Sequence, residues 1–193
     1  MPRIVLFVSV SLDGCFEGPG RDISWSRVDD ELHSHFNEEL ARLGGFVSGR
    51  VTHELMADYW PTAEHDPAAT APMIEFARIW REMPKTVFSR TLRHAEWNTT
   101  VLPEVTPAAV AALKASAAGD LSLSGGELAA SFRELDLIDE YRVYVHPVLL
   151  GRGRRIFPPD AAPADLELLT TRAFGSGVVL LHYARTAARG ANA

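Results

Sequence analysis

The chain has 193 residues, of which 47% are hydrophobic and 23% charged, with a formal net charge of −6 and one cysteine. That length suits one domain whose core needs no covalent staple, and a lone Cys15 excludes an internal disulfide and fits a reducing cytoplasm. The acidic balance excludes the basic face of a nucleic-acid binder: no Lys/Arg cluster exceeds Arg152-Gly153-Arg154-Arg155, so an anionic ligand must be held by a few placed arginines and backbone N–H groups.

In chain order, the apolar run Ile4–Val10 is too short to span a membrane and lacks a signal-like cleavage region, so it predicts a first strand covered on both faces. Val28, Leu32, Phe36, Leu40 and Leu43 recur at three- or four-residue spacing, which predicts an amphipathic helix opened by a capping box of Ser26 and Asp29. A short strand ends at Ser48 and a short helix begins at Thr52. Pro61–Pro72 reads as a solvent-facing loop by composition. Ile74, Ala77, Trp80 and Met83 mark the next helix, and Thr86–Ser89 the next strand. Pro107–Ala117 is a helix opened by its proline, Leu121–Leu123 a strand, and Glu127–Leu135 a helix with Leu128, Phe132 and Leu135 turned inward.

Beyond this point the periodicity changes. Glu140–Leu150 alternates as a strand does, and Leu166–Phe174 and Gly177–Tyr183 form two more strands around Gly175-Ser176-Gly177. Parallel βα units followed by antiparallel strands predict an α/β fold with a mixed, mostly parallel sheet flanked by helices. The expected domain covers residues 1–186, with a small, polar, frayed tail at 187–193.

Three strand endings carry the candidate chemistry, because ligands of open α/β sheets bind at the carboxyl edges of strands. Gly49-Arg50-Val51-Thr52 places a glycine where backbone must come close, a helix start with free N–H donors, a guanidinium fork and a hydroxyl. Ser89-Arg90-Thr91 offers a hydroxyl and a guanidinium for a second phosphate. Ser124-Gly125-Gly126-Glu127 leaves unhindered N–H groups at a positive helix end. Each of these reads equally as an ordinary strand–helix turn; their order is the argument.

Other site classes fail on inspection. There is no Walker A sequence, no third glycine after Gly151 and Gly153, and no Gly-x-Ser-x-Gly elbow. His53-Glu54 is followed by Ala57 where a zinc protease needs histidine, and His33 and His35 point to different helix faces, so no metal is expected. Asp29, Asp30 and Glu31 read first as helix-start carboxylates; facing a pocket, one of them would bind an amidine-like ring edge.

In sequence, Ser9-Val10-Ser11-Leu12-Asp13-Gly14, Gly-Arg-x-Thr, Ser-Arg-Thr-Leu, Ser-Gly-Gly and the run Asp139–Gly153 ending before Ile156-Phe157 resemble the dihydrofolate reductase-like superfamily. The resemblance is nearest to the reductase (C-terminal) domain of bifunctional riboflavin-biosynthesis deaminase-reductases and its stand-alone bacterial relatives. It implies a three-layer fold and a cytoplasmic, homodimeric, NADPH-dependent reductase of a pyrimidine or pterin-like heterocycle. It implies that Val8, Ser9, Gly14 and Phe16 border the nicotinamide, that Gly49, Arg50 and Thr52 hold the phosphates and adenosine side, that Ser89, Arg90 and Thr91 take the 2′-phosphate, and that Ser124, Gly125, Gly126, Glu127 and Leu128 take the pyrophosphate. Asp30 matches the substrate-orienting acid of dihydrofolate reductases by its distance after Trp25, and Asp13 is a second carboxylate beside the nicotinamide.

Overall fold

A computed structural model describes residues 1–186. The strands are β1 (Ile4–Ser11), β2 (Cys15–Glu17), β3 (Gly45–Gly49), β4 (Lys85–Phe88), β5 (Thr99–Leu102), β6 (Leu121–Ser124), β7 (Glu140–His146), β8 (Arg154–Arg155), β9 (Leu166–Ala173) and β10 (Val179–Arg185). The helices are α1 (Asp30–Leu40), α2 (Arg50–Tyr59), α3 (Ala71–Glu82), α4 (Pro107–Ser116) and α5 (Gly126–Glu134). Eight strands form one sheet in the order β5-β4-β3-β6-β1-β7-β10-β9, and β2 pairs with β8 as a separate ribbon. Within the eight-stranded sheet all neighbours are parallel except those of β10, which runs antiparallel to both β7 and β9; the β2–β8 ribbon is antiparallel. The mixed, mostly parallel sheet is the one the sequence predicts.

Alternation along β1 sends its side chains into two cores. Ile4, Leu6 and Val10 join Val110 of α4 and Leu128, Ala129 and Phe132 of α5 on one face. Phe7 turns to the other face, where it packs against Phe36 of α1 and Tyr144 of β7. Leu40, Phe76 and Trp80 continue that second core beneath α1 and α3. Completely buried side chains such as Phe132 and Ile4 contribute about 1.5–3 kcal/mol each through removal from water. This register aligns the carboxyl ends of the central strands: Ser48 lies opposite Ser124, and Leu6 lies between Leu123 and Tyr141.

Several boundaries differ from the sequence reading. Asp29 caps α1 itself, its carboxylate accepting the Leu32 N–H at 2.9 Å, so the helix starts at Asp30 and Val28 is left 43% exposed. Within Pro61–Pro72, a 3₁₀ turn at Trp60–His65 buries Pro61 and Ala63, and α3 already begins at Ala71. Ile74 and Leu135 are exposed rather than inward. Strand β7 ends at His146, before Pro147, which has no N–H to continue a ladder. Strands β2, β5 and β8 are too short for a periodicity of their own to stand out. The expected tail at 187–193 lies outside the described residues.

Candidate cofactor and acceptor site

A cleft of about 610 Å³ opens at the carboxyl ends of β1, β3, β4 and β6. One of its walls is a pair of helix starts. Strand β3 ends at Gly49 and α2 follows at once; β6 ends at Ser124, and Gly125 leads directly into α5. Neither start has a side-chain cap, so the first N–H groups of both helices lack an internal partner, and Gly49, Arg50, Val51, Thr52, Gly125, Gly126, Glu127 and Leu128 all line the cleft.

The glycines here are required by geometry. Gly125 has φ +91°, and a Cβ on it would stand 2.6 Å from Thr52 Oγ1, so the two helix starts touch through this residue. A Cβ on Gly126 would overlap the Phe16 ring, which lies directly over the α5 start. Two positive helix ends this close make a cradle for a diphosphate, the group that the residues present fit best.

Charged side chains surround the cradle. Arg90 reaches the cleft from a turn in which Ser89 Oγ accepts the N–H groups of Thr91 (3.2 Å) and Leu92 (2.9 Å). Arg50 pairs with Glu54 at 2.7 Å across an exposed turn of α2. Arg154 Nε meets Glu17 at 2.5 Å, the same guanidinium pairs with Glu127, and it lies 5.0 Å from the centre of the Phe16 ring. The hydrogen bond from Arg154 holds the Glu127 carboxyl below the usual range, so the negative charge at the α5 start is matched by a partner.

The rest of the lining is largely apolar. Phe7, Val8 and Ser9 of β1 form its base, Ile23, Trp25 and Ser26 come from the segment before α1, and Leu55 and Met56 from the second turn of α2. The Trp25 indole is held in place: its Nε1–H donates to the Asp22 carbonyl at 3.0 Å, and its ring meets that of His146 edge-on at 5.5 Å. His146 is buried and accepts the Arg27 N–H on Nδ1 at 3.0 Å.

Eleven of the expected residues therefore share one cleft: Val8, Ser9, Phe16, Gly49, Arg50, Thr52, Arg90, Gly125, Gly126, Glu127 and Leu128. Six do not line it. Ser89 and Thr91 build the turn that carries Arg90, and Ser124 sits in the β6 ladder. Gly14, at φ +83°, closes the turn after β1. Asp13 lies outside the cleft, accepting the Leu150 N–H (3.0 Å), the Ser11 hydroxyl (2.7 Å) and the Gly151 N–H (2.8 Å), and these bonds lower its pKa from 3.8 to about 2. It ties the loop after β1 to the loop after β7. Asp30 is exposed in the first turn of α1, outside the cleft, because Asp29 has taken the cap and set the start of the helix. No group of three or more His, Cys, Asp or Glu side chains that could hold a metal ion is assembled among the described residues.

The profile of the RibD C-terminal domain family matches residues 2–180. The chain belongs to that family. It is 33% identical over 187 residues to the uncharacterized protein YyaP of Bacillus subtilis (strain 168), covering 94% of each. In fold it is similar to a candidate riboflavin biosynthesis protein from Shewanella sp. PV-4, with a TM-score of 0.73 at 20% identity over 96% of this chain and 99% of that one. It is also similar to the diaminohydroxyphosphoribosylaminopyrimidine deaminase/5-amino-6-(5-phosphoribosylamino)uracil reductase of Thermotoga maritima, with a TM-score of 0.63 at 14% identity, over 96% of this chain and 57% of that one. The dihydrofolate reductase-like fold and the relation to riboflavin-pathway reductase domains both stand.

Within this RibD C-terminal domain, the sequence reading missed much of the wall. Leu55 and Met56 follow Val51 and Thr52 at helical spacing, a signal that was present once Gly49 was taken as the helix start. Glu17, Arg21 and Arg154 come from β2, β8 and the loop between them and the next elements, where no local pattern announces a site.

Proposed function

We propose that residues 1–186 form one NADPH-dependent reductase domain that passes hydride to a C=N or C=O group of a pyrimidine-like heterocycle, a reaction of the riboflavin-biosynthesis reductase class. The observation that carries this reading is the pair of uncapped helix starts meeting at Gly125 and Thr52 beside an apolar wall. The N–H groups of Arg50–Thr52 and Gly126–Leu128 would hold the diphosphate, and Arg90, with no carboxylate partner among the described residues, would take the 2′-phosphate that separates NADPH from NADH. Bound NADPH supplies the hydride. The chain's own contribution is placement: Val8 and Ser9 form the base on which donor and acceptor rings meet, and the apolar wall keeps water from the reacting face.

Reduction of a pterin is the weaker reading, because neither Asp29 nor Asp30 reaches the cleft to bind an amidine edge. A cytoplasmic homodimer completes the proposal. The stretches Glu140–Leu150 and Gly177–Tyr183, which the sequence offers as the dimer contact, fall on β7 and β10 inside the sheet, so an edge contact passes to β9, all eight of whose residues are exposed, Leu166, Leu168 and Leu169 included. No helix among the described residues is long and apolar enough to cross a membrane.

Titration with NADPH and NADH tests the reading. NADPH is expected to raise the melting temperature, reflecting about 2.7 kcal/mol at a hundredfold excess over Kd, with NADH far weaker. A melting curve indifferent to both cofactors removes the cofactor assignment. NADPH binding without oxidation by any heterocycle or carbonyl acceptor favours a non-catalytic cofactor-binding module.

A further inference from the structure

The α5 start, where the diphosphate would sit, is not bare. The β2–β8 ribbon reaches it with one side chain from each strand. Phe16 covers Gly126, where an added Cβ would overlap its ring, and the Arg154 guanidinium stands 5.0 Å from the centre of that ring. Arg154 lies opposite Glu17 in the ribbon, and its Nε meets the Glu17 carboxylate at 2.5 Å. Its Nη1 donates to the Glu127 carboxylate in the first turn of α5. One guanidinium thus joins carboxylates from two elements, and all three residues line the cleft.

The two ion pairs are unequal. The Glu17 side chain is 12% exposed, whereas that of Glu127 is 64% exposed and that of Arg154 43%. A pair between side chains in water gains little, because each charge is already solvated, so the bond to Glu127 is the easily broken one. Glu127 also stands where an incoming anion needs to be. A carboxylate and a phosphate at one helix start repel each other, and both compete for the same N–H groups and the same guanidinium. A second cation is at hand for the displaced carboxylate. Arg21 lines the cleft, has no carboxylate within ion-pair distance among the described residues, and already favours the ionised form of Glu127. A backbone bond from the Gly18 N–H to the Asp22 carbonyl, at 2.7 Å, closes the turn that presents it.

We propose that Arg154 is a diphosphate ligand that exchanges Glu127 for the phosphate, keeping its Nε on Glu17 while Glu127 passes to Arg21. The proposal rests on the cofactor reading for the identity of the diphosphate, and on the ion pairs of the ribbon for the exchange. Glu127 is then a competitor that occupies the guanidinium until the anion arrives. Arg154 grips the part that NADPH and NADH share, whereas Arg90 serves the 2′-phosphate alone. After the exchange no carboxylate stands unpaired beside the phosphate.

Calorimetry with inorganic pyrophosphate, NADH and NADPH tests the exchange. Arg154→Ala should weaken all three about tenfold, the loss of one charge-assisted hydrogen bond. Arg154→Lys should recover only part of this, since a point charge cannot span Glu17 and a phosphate as a fork does. Glu127→Gln keeps the backbone N–H and removes the competing charge, so all three should bind about threefold more tightly at an unchanged melting temperature. The double variant Arg154→Ala/Glu127→Gln should bind several-fold more weakly than Glu127→Gln alone. Equal affinity in those two would mean that Arg154 only neutralises Glu127, and overturns the proposal. Weaker binding by Glu127→Gln overturns it too, as does unchanged affinity for all three ligands in Arg154→Ala. The expected pattern for pyrophosphate in a protein that binds neither dinucleotide upholds Arg154 as a diphosphate ligand and removes the cofactor reading. NADPH binding indifferent to Arg154→Ala does the reverse, so the two fail separately.

Discussion

The two walls of the cleft solve their recognition problems with different materials. The cradle between α2 and α5 uses backbone: Gly49 and Gly125 open helices without side-chain caps, and side chains such as Arg90 and Arg154 add charge around them. The acceptor wall uses side-chain surface, with Phe7 and Met56 fixed by the core behind them, Trp25 by Asp22 and His146, and Leu55 exposed on α2. A backbone site tolerates few substitutions at its glycines but many around them. A side-chain site is the reverse, and one exposed position such as Leu55 can change what it takes.

The strongest way to break this contrast is Gly125→Ala. At φ +91° a Cβ is strained, at a cost on the order of 1–3 kcal/mol, and it would press on Thr52 Oγ1 at 2.6 Å. The variant should melt several degrees lower and bind NADPH at least tenfold more weakly, while an acceptor ring binds with little change. Calorimetry with each ligand separates the two; equal losses for cofactor and acceptor would mean that the walls are not independent.

Arg90→Ala probes the cradle's charge rather than its backbone. A charge-assisted hydrogen bond contributes about 1.5–3 kcal/mol, so NADPH affinity should fall roughly ten- to hundredfold. NADH, without the 2′-phosphate, should be unaffected, and the melting temperature should hold because Arg90 has no partner to lose among the described residues. Parallel losses for both cofactors would remove Arg90 from the 2′-phosphate role.

The contrast also explains what could be read from the sequence. Backbone recognition leaves a local mark, since glycine between an apolar run and a helical period occurs only in short, recognisable strings; Gly49-Arg50-Val51-Thr52 and Ser124-Gly125-Gly126-Glu127 lead to the cradle for that reason. Side-chain surface leaves none. Trp25 and Ile23 come from a segment without regular periodicity, and their partners Leu55 and Met56 are distant in sequence. The carboxylates mislead for a related reason. Asp13, Asp29 and Asp30 have the chemistry of site residues, but backbone N–H groups compete for carboxylates: at the turn after β1 they take Asp13, at the helix start they take Asp29, and Asp30 is left facing solvent in the first turn of α1. The register of Leu150 and Gly151 against Asp13 is long-range and invisible in one sequence.

The smallest effect concerns the support behind Trp25. Burial, with the Arg27 charge nearby, lowers the His146 pKa from 6.5 to about 4, so the folded protein resists a proton that the unfolded chain accepts near 6.5. Stability should therefore fall as pH drops through the window from 6.5 to 4, with the penalty complete below it. His33, His35 and His53 are also lowered by burial, so His146 accounts for only a share. With screening by the adjoining cleft, that share is about 1 kcal/mol, or ~2–4 °C for a chain of this size. His146→Gln keeps an acceptor for the Arg27 N–H and removes the titration, so its melting temperature should drop less than that of the unmodified protein between pH 7 and pH 4. If Trp25 depends on this support, acidification should also weaken acceptor binding in the unmodified protein more than in the variant, with NADPH binding changed equally in both. An identical pH response in the two proteins would show that the indole is held by the Asp22 carbonyl alone.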